Sequence, residues 1–122
     1  MIKSTKWDKV FSKYIRTRDE WVCQRCGKGH PPNSQGLHNS HFVGRGNYST
    51  RFDVDNCEAL CYGCHRYLGS NPSEHRQHKI DMLGKEAYDA LVERAKCLTK
   101  RSSILTKDFY EYLKEKLQEV EL

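Results

Sequence analysis

The chain has no long apolar run. Nothing in its 122 residues approaches the roughly 20 consecutive apolar positions that a membrane-crossing helix needs. The start, Met1-Ile2-Lys3-Ser4-Thr5-Lys6, has no hydrophobic stretch behind it, so neither a membrane span nor a secretory leader is expected. The compartment that follows is cytoplasmic, where cysteines stay reduced and bind metal instead of pairing. Apolar residues are also scarce, 37% against 30% charged. A core that thin calls for a staple, and a metal ion is a common one. There is no internal repeat and no recognisable sequence-reading helix, which argues against a reader of base sequence.

Charge of one sign is unevenly placed. The formal net charge is +5. Residues 1–26 hold seven Lys/Arg against three acids, a net of +4, while residues 106–122 hold three Lys against five acids, a net of −2. The front of the chain therefore suits a polyanion and the tail does not. Residues 5–20 read as an amphipathic helix with Trp7, Val10, Phe11, Tyr14 and Ile15 on one face. Lys9, Lys13 and Arg16 lie on other faces, either as a solvated surface or as contacts to a DNA backbone.

Six cysteines are present. Cys23-Gln24-Arg25-Cys26 and Cys61-Tyr62-Gly63-Cys64 are two C-x-x-C pairs. Each pair can place two thiolates on one ion across a tight turn, and four thiolates make a closed tetrahedral zinc site with no position left for water. Such a zinc is structural. A redox C-x-x-C would sit in a thioredoxin-like strand–helix setting, which is absent. Cys57 and Cys97 are left over and read as small core residues.

The remaining pattern predicts short elements around these knuckles. Residues 37–43 and 57–60 read as strands, and a short helix starts near Cys64. Helices follow over 73–83, between Pro72 and Gly84, and over 85–98 with Ala87, Leu91, Ala95 and Leu98 on one face. Lys100-Arg101-Ser102-Ser103 reads as a linker. Thr106 caps a last helix whose face carries Phe109, Leu113, Leu117 and Val120. Three segments result: a main domain over 1–98, a linker over 99–105, and an amphipathic helix over 106–122. That last face either folds back on the chain's own core or forms a homodimer.

His41, Asn56 and His65 stand in that order inside the zinc-clamped strand–loop–strand–helix. Here residues 21–70 resemble the HNH, or ββα-metal, nuclease superfamily. His41-Phe42-x-x-Arg45-Gly46, followed by Arg51-Phe52-x-x-Asp55-Asn56 and C-x-x-C, further resembles the phage NinG (Rap) recombination-protein family. That likeness extends back over the basic helix and forward to about Arg76. The zinc-and-histidine layout is also similar to endonuclease VII-type junction resolvases. The resemblance implies an α+β fold, a zinc-bound ββα core with flanking helices. It implies a host-cell cytoplasm if a phage encodes the chain, and a metal-dependent endonuclease cutting DNA, branched or single-strand-containing. By the same resemblance His41 is the general base, Asn56 holds the loop or the His41 ring, and His65 binds a catalytic divalent ion. Arg45 and Arg51 would clamp neighbouring phosphates.

One position departs from the superfamily. Many HNH enzymes carry an Asp or another ligand just before the base, and here that residue is Ser40. In a strand, His38 shares a face with Ser40, so His38 is the expected replacement. Asp53, Asp55, Glu74, His75 and His78 are its rivals. With few carboxylates, the ion would be Mg2+ or Mn2+, with softer Co2+ or Ni2+ also accepted. Ser40 is also the best support for the alternative, a non-catalytic zinc-dependent DNA-binding module.

Overall fold

The computed structural model describes residues 2–121; Met1 and Leu122, the outer ends of the expected first and last segments, lie outside them. Helix α1, Lys6–Arg18, starts at a capping box: the Thr5 side chain accepts from the Asp8 N–H, and the Thr5 N–H donates to the Asp8 carboxylate at 2.7 Å. Its apolar face buries Phe11 and Ile15. The fold class is the expected α+β. Strands β1 (Leu37–His41) and β2 (Cys57–Cys61) pair antiparallel, Leu37 opposite Cys61 and His41 opposite Cys57. The chain leaves β2 directly into α2, Tyr62–Gly69, completing a β–β–α unit.

The first strand stops at His41, two residues short of the expected end. Phe42 and Val43 peel away because their N–H groups are taken by the Asn56 carbonyl and the Asn56 side chain. Helix α3, Pro72–Leu83, takes Pro72 inside its first turn, where the missing N–H is harmless, and ends at Gly84 with φ of 84°. Helix α4 spans Lys85–Ala95 and buries Tyr88 and Leu91. It stops three residues before the expected end, as the Ala95 carbonyl accepts from the Asn47 side chain at 2.8 Å. Leu98 and Cys97, expected on a buried face, are therefore exposed. Cys57 is buried as expected. The expected linker contains one helical turn, α5, Arg101–Ile104.

Two small cores result. Trp21, Cys23, Leu37, Ala59, Leu60, Cys64 and Leu68 form one between the hairpin and α2. Phe11, Ile15, Cys57 and Leu113 form the other, with Trp7, Phe52 and Phe109 packed against it. Leu113 comes from α6, Lys107–Glu121, which lies back on α1. The Trp7 indole N–H donates to the Thr106 carbonyl at 2.8 Å and pins the start of α6. Of the apolar face of α6, Phe109 and Leu113 pack within the chain, while Leu117 and Val120 are half-buried. No helix among the described residues is long and apolar enough to cross a membrane.

Leu113 is the one fully buried side chain of α6, so Leu113→Ala leaves a cavity against Phe11 and Ile15. The expected loss is about 2–5 kcal/mol in urea unfolding. Leu98→Ala, at an exposed position, should change stability by less than about 0.5 kcal/mol.

Candidate functional site

The knuckle is built by two turns, one before β1 and one at the junction of β2 and α2. After α1, a single bridge between Val22 and Gly29 closes a loop turned at Gly27 (φ 78°), with Cys23 buried and Cys26 exposed on it. Cys61 ends β2 and caps α2, accepting from the Cys64 N–H at 3.4 Å. The four sulphurs all lie within 4.8 Å of one another. Thiolates on a tetrahedral zinc, with bonds of about 2.3 Å, stand roughly 3.8 Å apart. The Cys26 and Cys61 sulphurs stand at 3.8 Å. Arg25 points its guanidinium at the Cys64 sulphur, 3.4 Å away, as suits a thiolate. The cluster therefore fits a structural zinc. Among the described residues no other group of three or more His, Cys, Asp or Glu side chains converges this closely.

His38 and His65 meet across the gap between β1 and α2. Their Nδ1 atoms are 2.9 Å apart. Two nitrogens at that distance either share a proton or sit as neighbouring ligands on one cation, since metal–nitrogen bonds of about 2.1 Å at a right angle separate them by roughly 3 Å. Burial, then the charge of His38, holds the His65 imidazole below its ordinary pKa, so its ring is neutral and free to ligate. Two nitrogens leave a cation open to water and to phosphate, which is what a catalytic site needs. Several rivals are engaged elsewhere: Asp53 and Asp55 pair with Arg94 at 2.6 and 3.2 Å, and His78 pairs with Glu58 at 3.0 Å. Glu74 is exposed. His75 lines a second cavity with Ser40 and His65.

His41 ends β1, and its Nε2 lies 2.8 Å from the Arg51 carbonyl. A carbonyl only accepts, so Nε2 carries the hydrogen and Nδ1 keeps its lone pair. Burial pushes the His41 pKa down to about 4, partly opposed by the same carbonyl contact. At neutral pH the ring is an unprotonated acceptor. Asn56 is fully buried. Its side-chain oxygen accepts from the Val43 N–H at 2.7 Å, and its amide donates to the Val43 and Thr50 carbonyls at 2.9 and 3.0 Å. Of the two roles expected for Asn56, it holds the loop; the ring is held by Arg51.

A cleft of about 460 Å³ opens between α1 and the hairpin, lined among others by Lys9, Arg16, Arg45, Asn39, His41 and His65. Arg16 is half committed, donating to the Ser34 and Leu37 carbonyls at 3.2 and 3.3 Å. Lys13 reaches away from the cleft to Glu121 at 3.5 Å. Arg51 does not clamp phosphate. Its side chain is 1% exposed and ion-paired to Asp8 at 2.7 Å, because the loop that places its carbonyl on His41 turns its side chain inward. Two groups escaped the sequence reading, Glu58 and Lys79. Glu58, directly across the hairpin from Ser40, is 2% exposed with buried Lys79 3.8 Å away. The Ser40 hydroxyl is buried without a hydrogen-bond partner. Only the antiparallel register brings these together, and no local motif announces it.

The family model described as Bacteriophage Lambda NinG protein matches residues 3–121 of the chain. No curated protein matches it, and no solved structure does.

Two outcomes follow from this geometry. The purified chain should carry one zinc, and Cys61→Ser or exhaustive chelation should abolish its cooperative unfolding transition, read by circular dichroism. The His41 ring should titrate near pH 4 by NMR. Its folded pKa lies below the ordinary 6.5, so the unfolded chain binds the proton more readily. Stability is then full above pH 6.5 and falls as the pH drops towards 4, by about 3 kcal/mol more than in His41→Gln.

Proposed function

The chain belongs to the NinG family, and from that premise we propose that it is a metal-dependent endonuclease of the HNH type, hydrolysing DNA phosphodiester bonds. The observation that carries the reading is His41. It is neutral, oriented by a backbone carbonyl, and set on the floor of a cleft whose walls hold Lys9, Arg16 and Arg45. Phosphodiester hydrolysis needs an acceptor for the proton of the attacking water and positive charge around the phosphate. The surroundings favour a polyanion: no acidic residue occurs between Glu20 and Asp53, and none between Glu58 and Glu74.

In this mechanism the His41 Nδ1 takes a proton from water as the water oxygen bonds to phosphorus. The bond from phosphorus to the 3′ oxygen breaks and that oxygen takes a proton from solvent, leaving 5′-phosphate and 3′-hydroxyl ends. Lys9 and Arg45 offset charge on the phosphate oxygens. His65 and His38 would hold a divalent cation, Mg2+ or Mn2+ with Co2+ or Ni2+ also suited to nitrogen ligands, and that ion would stabilise the departing oxygen. Asn56 keeps the loop from Val43 to Asn56 in the shape that presents the Arg51 carbonyl to His41.

The substrate class we propose is branched or single-strand-containing DNA, a phage recombination intermediate in the host-cell cytoplasm. Tyr62 and Tyr67 on α2 are 59% and 42% exposed. Tyr62 stands edge-on to His38 with ring centres 6.0 Å apart, and Arg25 covers the Tyr67 ring at 4.4 Å. Exposed aromatics interleaved with cations are stacking positions for unpaired bases. Ser40, in place of a carboxylate, favours a second reading in which the zinc domain only binds DNA.

Labelled duplex, single strand, flap and four-way junction, each incubated with zinc-loaded protein and Mg2+ or Mn2+, separate the two readings. The nuclease reading expects nicking that falls about 10²–10⁴-fold in His41→Ala at unchanged DNA affinity. The nicking rate should also stay level through pH 6.5, since His41 protonates only near pH 4. Binding without cutting by wild type and variant alike would leave the binding module.

A further inference from the structure

Arg51 joins two parts of the molecule that the proposed chemistry must keep in register. Its side chain is 1% exposed, and all three guanidinium nitrogens donate to acceptors around it. Nε and one terminal nitrogen donate to the two Asp8 carboxylate oxygens at 2.9 and 2.7 Å. That same terminal nitrogen reaches the Lys3 carbonyl at 3.1 Å, and the other reaches the Arg45 carbonyl at 3.2 Å. The carbonyl of this same residue accepts from His41 Nε2 at 2.8 Å.

We infer that Asp8 and Arg51 form a positioning pair for the base: α1 holds the Arg51 side chain, and the Arg51 backbone in turn sets the ring and tautomer of His41. The inference rests on the nuclease reading above for its kinetic consequences, but not for its structural ones. An ion pair so buried gives back in attraction little more than its desolvation takes, so stability alone is a weak reason for it. Specifying one geometry is a better reason. Asp8 is already fixed before it meets Arg51, because Thr5 donates to its Oδ2 from both N–H and hydroxyl at 2.7 and 2.8 Å. The capped first turn of α1 therefore acts as a fixed mount. Asp8 also borders the cleft that holds Lys9, Arg45 and His41. The helix that would meet the DNA backbone is thereby tied to the imidazole that would act on it. A lysine at 51 could carry the charge but not the forked, planar set of donors.

The test uses the full zinc-loaded chain and three variants. Asp8→Asn removes the charge of the pair, Arg51→Lys keeps charge but loses the fork, and Thr5→Ala removes one of the two Thr5 donors that fix Asp8. Zinc content and thermal midpoint report folding. Imidazole ¹⁵N shifts report the His41 tautomer, and nicking of a flap substrate separates kcat from KM. Asp8→Asn and Arg51→Lys should keep zinc, keep KM within about twofold, and lower kcat about 10–100-fold. In both, His41 should pass from a single Nε2–H tautomer to a mixture. Thr5→Ala should lower the thermal midpoint and shift tautomer and kcat the same way, by less than Asp8→Asn does. Wild-type kcat and a single tautomer in Asp8→Asn would overturn the inference. So would failure of both Asp8→Asn and Arg51→Lys to fold, which makes the pair purely structural. If wild type cuts no DNA, the nuclease reading fails, and the ¹⁵N shifts still decide whether the pair sets the ring.

Discussion

The convergence of four cysteine sulphurs within 4.8 Å is the constraint on which the rest of this molecule depends. The hairpin has only five residues per strand, and the core behind it is seven residues. Two short strands are marginal by themselves in water. A zinc bound between the turn after α1 and the start of α2 closes a chain segment of about 40 residues, and its binding free energy is folding free energy. Everything that positions His41 and His65 lies inside or beside that closed segment.

In the proposed reading the cysteine cluster and the His38–His65 pair would divide the work by their chemistry. Four thiolates saturate a tetrahedral ion and exclude water. Two imidazole nitrogens on the outer side of the same β–β–α unit leave most of a coordination sphere open. His65 lines the cleft in which the neutral His41 and the basic residues of α1 stand, and His38 meets it there by its Nδ1. The helix that carries the basic residues is held from three directions: by α6 through Leu113, by its own cap at Thr5, and by Arg51 through Asp8.

The parts of this arrangement that follow from local pattern were legible in the sequence. The C-x-x-C spacing announces the metal cluster, helical periodicity announces α1 and α6, and β-alternation puts His38 on the face that meets His65. What the sequence hid depends on long-range register. The family resemblance makes Arg51 a phosphate contact, and only the position of Asp8, 43 residues away, turns its side chain inward. Glu58 carries no local signal, and only the hairpin register sets it opposite Ser40. The end of α4 was misplaced because the group that caps it, Asn47, belongs to a distant loop.

The central claim is that His38 and His65, not the cysteine cluster, form the open cation site beside the base. NMR of the zinc-loaded chain titrated with paramagnetic Mn2+ tests this directly. The account predicts that the ring signals of His38, His65 and His41 broaden first, at substoichiometric metal, and that His65→Ala removes the effect. Early broadening confined to the acidic α6, or broadening at the histidines that survives His65→Ala unchanged, would contradict it.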